Sequence, residues 1–141
     1  RADLTLRSHS GATPLAEAAV NGDCGAVQLL LSCDADIEHG QDQGATPLYL
    51  AAQEGHTGSV RLLLAQRADP NSATSDGMTP LMATASAGHT EVARLLIAAG
   101  ASTTQQDEAG LTALAVAFRF RRASVARLLA GHVEQEDNAE Q

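Results

Sequence analysis

The side chains in this chain with chemistry to offer are five histidines, two cysteines, a scatter of serines and threonines, and 17 carboxylates. A metal site would need several of them at short, fixed spacings. His9, His39, His56, His89 and His132 contain no i, i+4 pair that would put two imidazoles on one helix face, and there is no Cys-x-x-Cys. Cys24 and Cys33 are nine residues apart. In the single helix expected there, their Cα atoms stand roughly 13 Å apart, too far for a disulfide. The hydroxyl residues fall at expected caps and turns, and no glycine-rich phosphate loop of recognised spacing occurs. The sequence therefore assigns no catalytic, cofactor-binding or metal-binding residue, and the chain reads as a non-enzyme.

Composition limits what can position a site. The 141 residues suffice for one domain. Hydrophobic residues make up 44% but aromatic ones only 2%, so the core must be built from closely packed Ala, Leu and Val. The formal charge is -8, and all nine basic residues are arginines. That balance argues against a nucleic-acid partner, which would require a basic footprint, and in favour of a neutral or basic protein surface. There is no run of eighteen apolar residues and no apolar stretch within Arg1 to Ser10, so no membrane insertion is expected. Free thiols without a disulfide framework point to a reducing, intracellular location, cytoplasmic or nuclear.

Organisation comes from self-similarity. Gly-x-Thr-Pro-Leu begins at Gly11, Gly44 and Gly77, and Gly110 to Leu114 repeats it with Ala113 in place of proline. Leucine pairs at 29–30, 62–63, 95–96 and 128–129 keep the same 33-residue period, as does the series at 1–3, 34–36, 67–69 and 100–102. Thr13, Thr46, Thr79 and Thr112 suit helix N-caps, with Pro14, Pro47 and Pro80 at the first helical position, where no N–H is missed. Gly22, Gly55 and Gly88 suit the left-handed residue that ends a helix. The spacing predicts a first helix of about eight residues, then a second carrying the apolar stripes Val60, Leu62, Leu63 and Val92, Leu95, Leu96. Asp69-Pro70-Asn71 marks the end of the second helix, and a polar loop follows.

These motifs, with the Gly-His turns at Gly55-His56 and Gly88-His89, resemble the ankyrin repeat. The resemblance implies an all-α repeat solenoid of about four helix-turn-helix units with β-turn or hairpin loops. Repeats are expected at 11–43, 44–76 and 77–109, with a degenerate fourth at 110–131. Residues 1–10 read as the end of a preceding repeat and its connecting loop, and 132–141 as an acidic tail that frays. Three features depart from the family pattern. The histidine that usually follows Thr-Pro-Leu is replaced by Ala16, Tyr49, Met82 and Ala115, so its inter-repeat hydrogen bonds are not expected. Phe118 replaces an alanine. Arg121-Arg122 replaces Gly-His, and a distorted turn is expected there. The arginines at 119, 121, 122 and 127 read as a solvated terminal face.

The resemblance also implies that a concave surface of loop tips and first helices binds another protein or a linear peptide. Carried over position by position, the tips supply Asp42, Gln43, Ser75, Asp76, Met78, Glu108 and Leu111, and the first helices supply Tyr49, Gln53, Glu54, Met82, Ser86, Arg119 and Phe120. Carboxylates border an apolar seam of Tyr49, Met78, Met82, Leu111 and Phe120, so a basic segment with one or two apolar side chains complements it best. Two other readings stand beside this one. The chain could be a structural spacer within a longer array, or a regulatory domain attached to an enzyme.

Overall fold

Threonine followed by proline starts each first helix, because the hydroxyl satisfies a backbone N–H that the helix itself leaves open. In the computed structural model, which describes residues 11–139, Thr13, Thr46 and Thr79 accept from Ala16, Tyr49 and Met82 N at 3.2 Å, and Thr112 accepts from Ala115 N at 3.3 Å. The helices they open are α1 (Pro14–Asn21), α3 (Pro47–Glu54), α5 (Pro80–Ala87) and α7 (Ala113–Arg119). Each pairs with a second helix: α2 (Cys24–Ser32), α4 (Thr57–Ala65), α6 (Thr90–Ala98) and α8 (Ala123–Ala139). No strand occurs among the described residues, so this is an all-α repeat solenoid. Residues 1–10, read from sequence as the closing loop of a preceding repeat, lie outside the described residues, as does His9. So do the side chains of Asp42 and of residues 133–141.

The turns between paired helices keep one geometry. Gly22, Gly55 and Gly88 have φ of 71°, 77° and 84°, where a residue with a Cβ is strained. The next N–H closes the turn: Asp23 N donates to Ala18 O at 3.0 Å, His56 N to Ala51 O at 3.0 Å and His89 N to Thr84 O at 3.2 Å. The distortion expected at Arg121 does not occur. Arg121 adopts φ 59°, and Arg122 N donates to Ala117 O at 2.8 Å, so the closing bond survives and the arginine carries the strain. Asp34 and Arg67 are also left-handed, at φ 63° and 67°, where the equivalent residue of the third unit is Gly100. The final helix differs from expectation as well: α8 continues to Ala139, through the segment expected to fray.

The repeats stack through small residues. Ala19, Ala52 and Ala85 are 0% exposed, and Leu63, Leu96 and Leu129 likewise. Stacking is close enough that a Cβ on Gly22 would lie 2.5 Å from the His56 ring, and one on Gly55 2.7 Å from His89. His56 Nε2 donates across the same junction to Val20 O at 2.8 Å. In the last unit Arg122 stands in for the histidine, lying against Gly88 and donating from Nε to Ser86 O at 3.0 Å.

Substitutions at the two kinds of turn are expected to have opposite signs. Arg121→Gly should raise the unfolding free energy by about 0.5–1 kcal/mol, since relieved left-handed strain exceeds the added freedom of the unfolded chain. Gly55→Ala should lower it by more than about 1 kcal/mol, through both the strain and the collision with His89. Urea denaturation of the two variants beside the parent chain measures both.

Candidate functional site

Between α2 and α3, α4 and α5, and α6 and α7 the chain makes tight, hairpin-like tips. Gln41 N donates to Ala45 O at 2.9 Å, Thr74 N to Met78 O at 2.9 Å and Asp107 N to Leu111 O at 3.0 Å. Thr74 Oγ1 accepts from Met78 N at 3.1 Å and is also bonded to the Asp76 carboxylate. Asp107, one period later, accepts from Ala109 N and Leu111 N at 2.9 Å each. Such side-chain-to-backbone bonds fix a turn in one conformation. Successive tips are then tied together, with Ser75 N donating to Gln43 O at 2.9 Å and Glu108 N to Asp76 O at 3.0 Å. Gly77 permits this approach, since a Cβ there would lie 2.9 Å from Glu108 N.

The result is a shallow depression of about 290 Å³ lined by Asp76, Met78, Asp107, Glu108 and Ala109. Asp76 and Glu108 are exposed, and Met78 is half-buried between them. Among the described residues, no three His, Cys, Asp or Glu side chains are grouped so as to hold a metal ion. The depression therefore offers three carboxylates around one thioether, an arrangement suited to cationic and apolar contacts.

Of the remaining residues singled out from sequence, Gln43, Ser75, Gln53, Glu54, Arg119 and Phe120 are exposed, and Ser86 and Leu111 are half-buried. Asp42 lies in a 3-10 turn, Asp42–Gly44, and its side chain is outside those described. The expected apolar seam is corrected at two points. Met82 is 0% exposed and belongs to the core between α5 and its neighbours, so its thioether fills a gap instead of meeting a partner. Tyr49 is only 9% exposed, packed in a cluster with Ala12, Ala16, Ala45, Leu50 and Ala83. Both occupy a helix position that also faces the next repeat, and a large side chain there inserts between units. Asp107 and Ala109 line the depression but were not singled out from sequence; the position of Asp107, one period after Thr74, marks it only as a turn former.

Burial, and then the nearby Asp76 charge, push the Tyr49 phenol above its ordinary value of 10.0. A family model described as ankyrin repeats (3 copies) matches residues 1–74 and 66–140. Among curated proteins no sequence matches the chain.

Tyr49 is the sole tyrosine and there is no tryptophan, so phenolate absorbance reports this site alone. Its midpoint should lie above 10.0, and Asp76→Asn should bring it partway down. The folded chain holds this proton longer than the unfolded one. Stability from this group is therefore fully present below pH 10.0 and falls as pH rises towards the folded value. Thermal melts across that range, with Tyr49→Phe as control, should show the loss in the parent alone.

Proposed function

The chain belongs to the ankyrin-repeat family, whose repeats generally mediate protein–protein interaction, and we propose that it binds a basic peptide segment of another protein across its loop tips. The carrying observation is the depression in which Asp76, Asp107 and Glu108 surround Met78. Backbone bonds hold the tips in register before any partner arrives, which lowers the ordering cost of binding. A cationic side chain on the partner meets the carboxylates, and an adjacent apolar one lies against Met78, with half-buried Leu111 beyond it. Gln53 and Glu54 at the end of α3, and Phe120 after α7, extend the surface along the first helices. Arg119 is the one basic residue among the surface positions named above, so nucleic-acid phosphates are disfavoured there. Among the described residues no helix is long and apolar enough to cross a membrane.

The carboxylates should govern encounter and the apolar centre the lifetime of the complex. Selection of random peptides on the immobilised chain should enrich sequences with Arg or Lys flanking an apolar residue. For a selected peptide, Asp76→Asn with Glu108→Gln should slow association and flatten its salt dependence. Met78→Ala should weaken binding by about 1 kcal/mol, mainly through faster dissociation. Enrichment of acidic peptides, or binding indifferent to all three substitutions, would move the site elsewhere.

A further inference from the structure

The second helices carry a charge balance opposite to that of the chain. Residues 24–32, 57–65, 90–98 and 123–132 contain three arginines and one carboxylate, although the whole chain has 17 carboxylates and nine arginines. The three arginines, Arg61, Arg94 and Arg127, recur at the 33-residue period, and all are exposed. Each stands on the side of its helix turned away from the core, because the buried residues are Ser59, Val60 and Leu63 in α4 and Val92, Ala93 and Leu96 in α6. Helix α4 packs against α6, and α6 against α8, so the three positions form one line across the outer face of the array.

Little on this face competes for the arginines. Glu91, the one carboxylate, accepts from Arg94 Nη1 at 2.9 Å, and both side chains are more than half exposed. Arg61 and Arg127 have no ion pair among the described residues. One turn to either side of the three arginines stand Gly58 and Ala65, Glu91 and Ala98, and Ser124 and Gly131, all exposed. Apart from Glu91 these are too small to hold a peptide backbone away from the helices. Between α6 and α8 the surface dips into a depression of about 430 Å³ lined by Thr90, Arg94, Ser124, Arg127 and Leu128. Two guanidinium groups and two hydroxyls there border a half-buried leucine, an arrangement that donates to a carboxylate and leaves an apolar floor beside it.

Spacing selects the ligand. Helices packed side by side stand about 8–10 Å apart, which is the step from one arginine to the next. A β-strand returns to the same face every second residue, after about 6.6 Å, and so falls out of step. A polyproline II helix returns every third residue, after about 9.3 Å. Nucleic acid is disfavoured because a chain of charge -8 repels every added phosphate. We propose that the outer face binds an acidic, proline-rich segment of a partner protein in the polyproline II conformation, with Asp or Glu at every third position meeting Arg61, Arg94 and Arg127 in turn. Prolines between the carboxylates fix that conformation before binding, and one ring settles against Leu128. This surface shares no residue with the tip depression, so the chain can hold a basic segment at its tips and an acidic one on its outer face at once.

Fluorescence anisotropy with labelled peptides and the full chain tests this. One probe is Glu-Pro-Pro repeated four times, and the other has the same composition with its four glutamates adjacent. The evenly spaced probe should bind about fivefold more tightly at low salt, and added salt should weaken it. Arg61→Gln, Arg94→Gln and Arg127→Gln should each weaken it about threefold, whereas Arg67→Gln, an equal loss of charge at an exposed residue off the line, should change it by less than about 1.5-fold. Gln28→Arg continues the line onto α2, which packs against α4, and should tighten binding about threefold. Asp76→Asn with Glu108→Gln should leave it no weaker, which separates this surface from the tips. Circular dichroism checks that each variant is folded. Equal binding of the two probes, no binding of either, an Arg67→Gln effect as large as the others, or no gain from Gln28→Arg would each overturn the proposal. So would a thymine oligonucleotide that binds these arginines as tightly as the spaced probe, or sedimentation showing that they join two copies of the chain.

Discussion

Repeats in this chain lie so close that a methyl group is too much at the turn between their helices. A Cβ on Gly22 would meet the His56 ring at 2.5 Å, and one on Gly88 would meet the Arg122 side chain at 2.8 Å. Much of the architecture follows from that approach. The interior is lined by alanines with leucines and valines between them, and only 2% of residues are aromatic. Close packing of small side chains gains many weak attractions over a large area, which is how a core without bulky anchors is held. It also fixes the spacing of the loop tips, since each tip is carried by the helices it joins. The carboxylates of Asp76, Asp107 and Glu108 are brought together by that spacing and by the bond from Glu108 N to Asp76 O that ties the two tips.

Most of the fold was legible because single residues have single physical uses. Threonine before proline has an N-cap function whatever follows it, and glycine one period apart marks a left-handed turn without reference to neighbours. The tips are expected as β-turn or hairpin loops only through the family resemblance, and the side chains of Thr74 and Asp107, which bond their own backbone, hold them so. What the sequence could not show was how deep a side chain sits in a stack. Met82 and Met78 are both methionines of the third repeat, yet one is 0% exposed and the other half-buried. The difference comes from which unit lies above each, and that is set by packing between repeats. Tyr49 was read as a surface anchor for the same reason, and the stack encloses it.

Arg121 shows a second limit. A non-glycine residue at a glycine position predicts a distorted turn, but the closing bond from Arg122 N to Ala117 O is kept at 2.8 Å. The preference for glycine is a modest energy, on the order of 1–2 kcal/mol, whereas the turn is held by two helices packed on either side of it. Asp34 and Arg67 tell the same story at the other turn, left-handed at φ 63° and 67° because the fold dictates the backbone there. Local preference identifies where a turn belongs more reliably than it identifies which residues will tolerate it.

The ties between repeats have an arithmetic of their own. His56 reaches back 36 residues to Val20 and Arg122 the same 36 to Ser86, while Asp69 to Glu38 and Ser102 to Asn71 both span 31. Losing or gaining one codon inside a unit would put every partner downstream of it one step out of line with every partner upstream. Losing or gaining an entire unit would leave each remaining tie its own length. The repeat is therefore the unit in which this chain can lengthen or shorten without loss of its ties, whereas a single added residue is harmless only where a loop tip can bulge to absorb it.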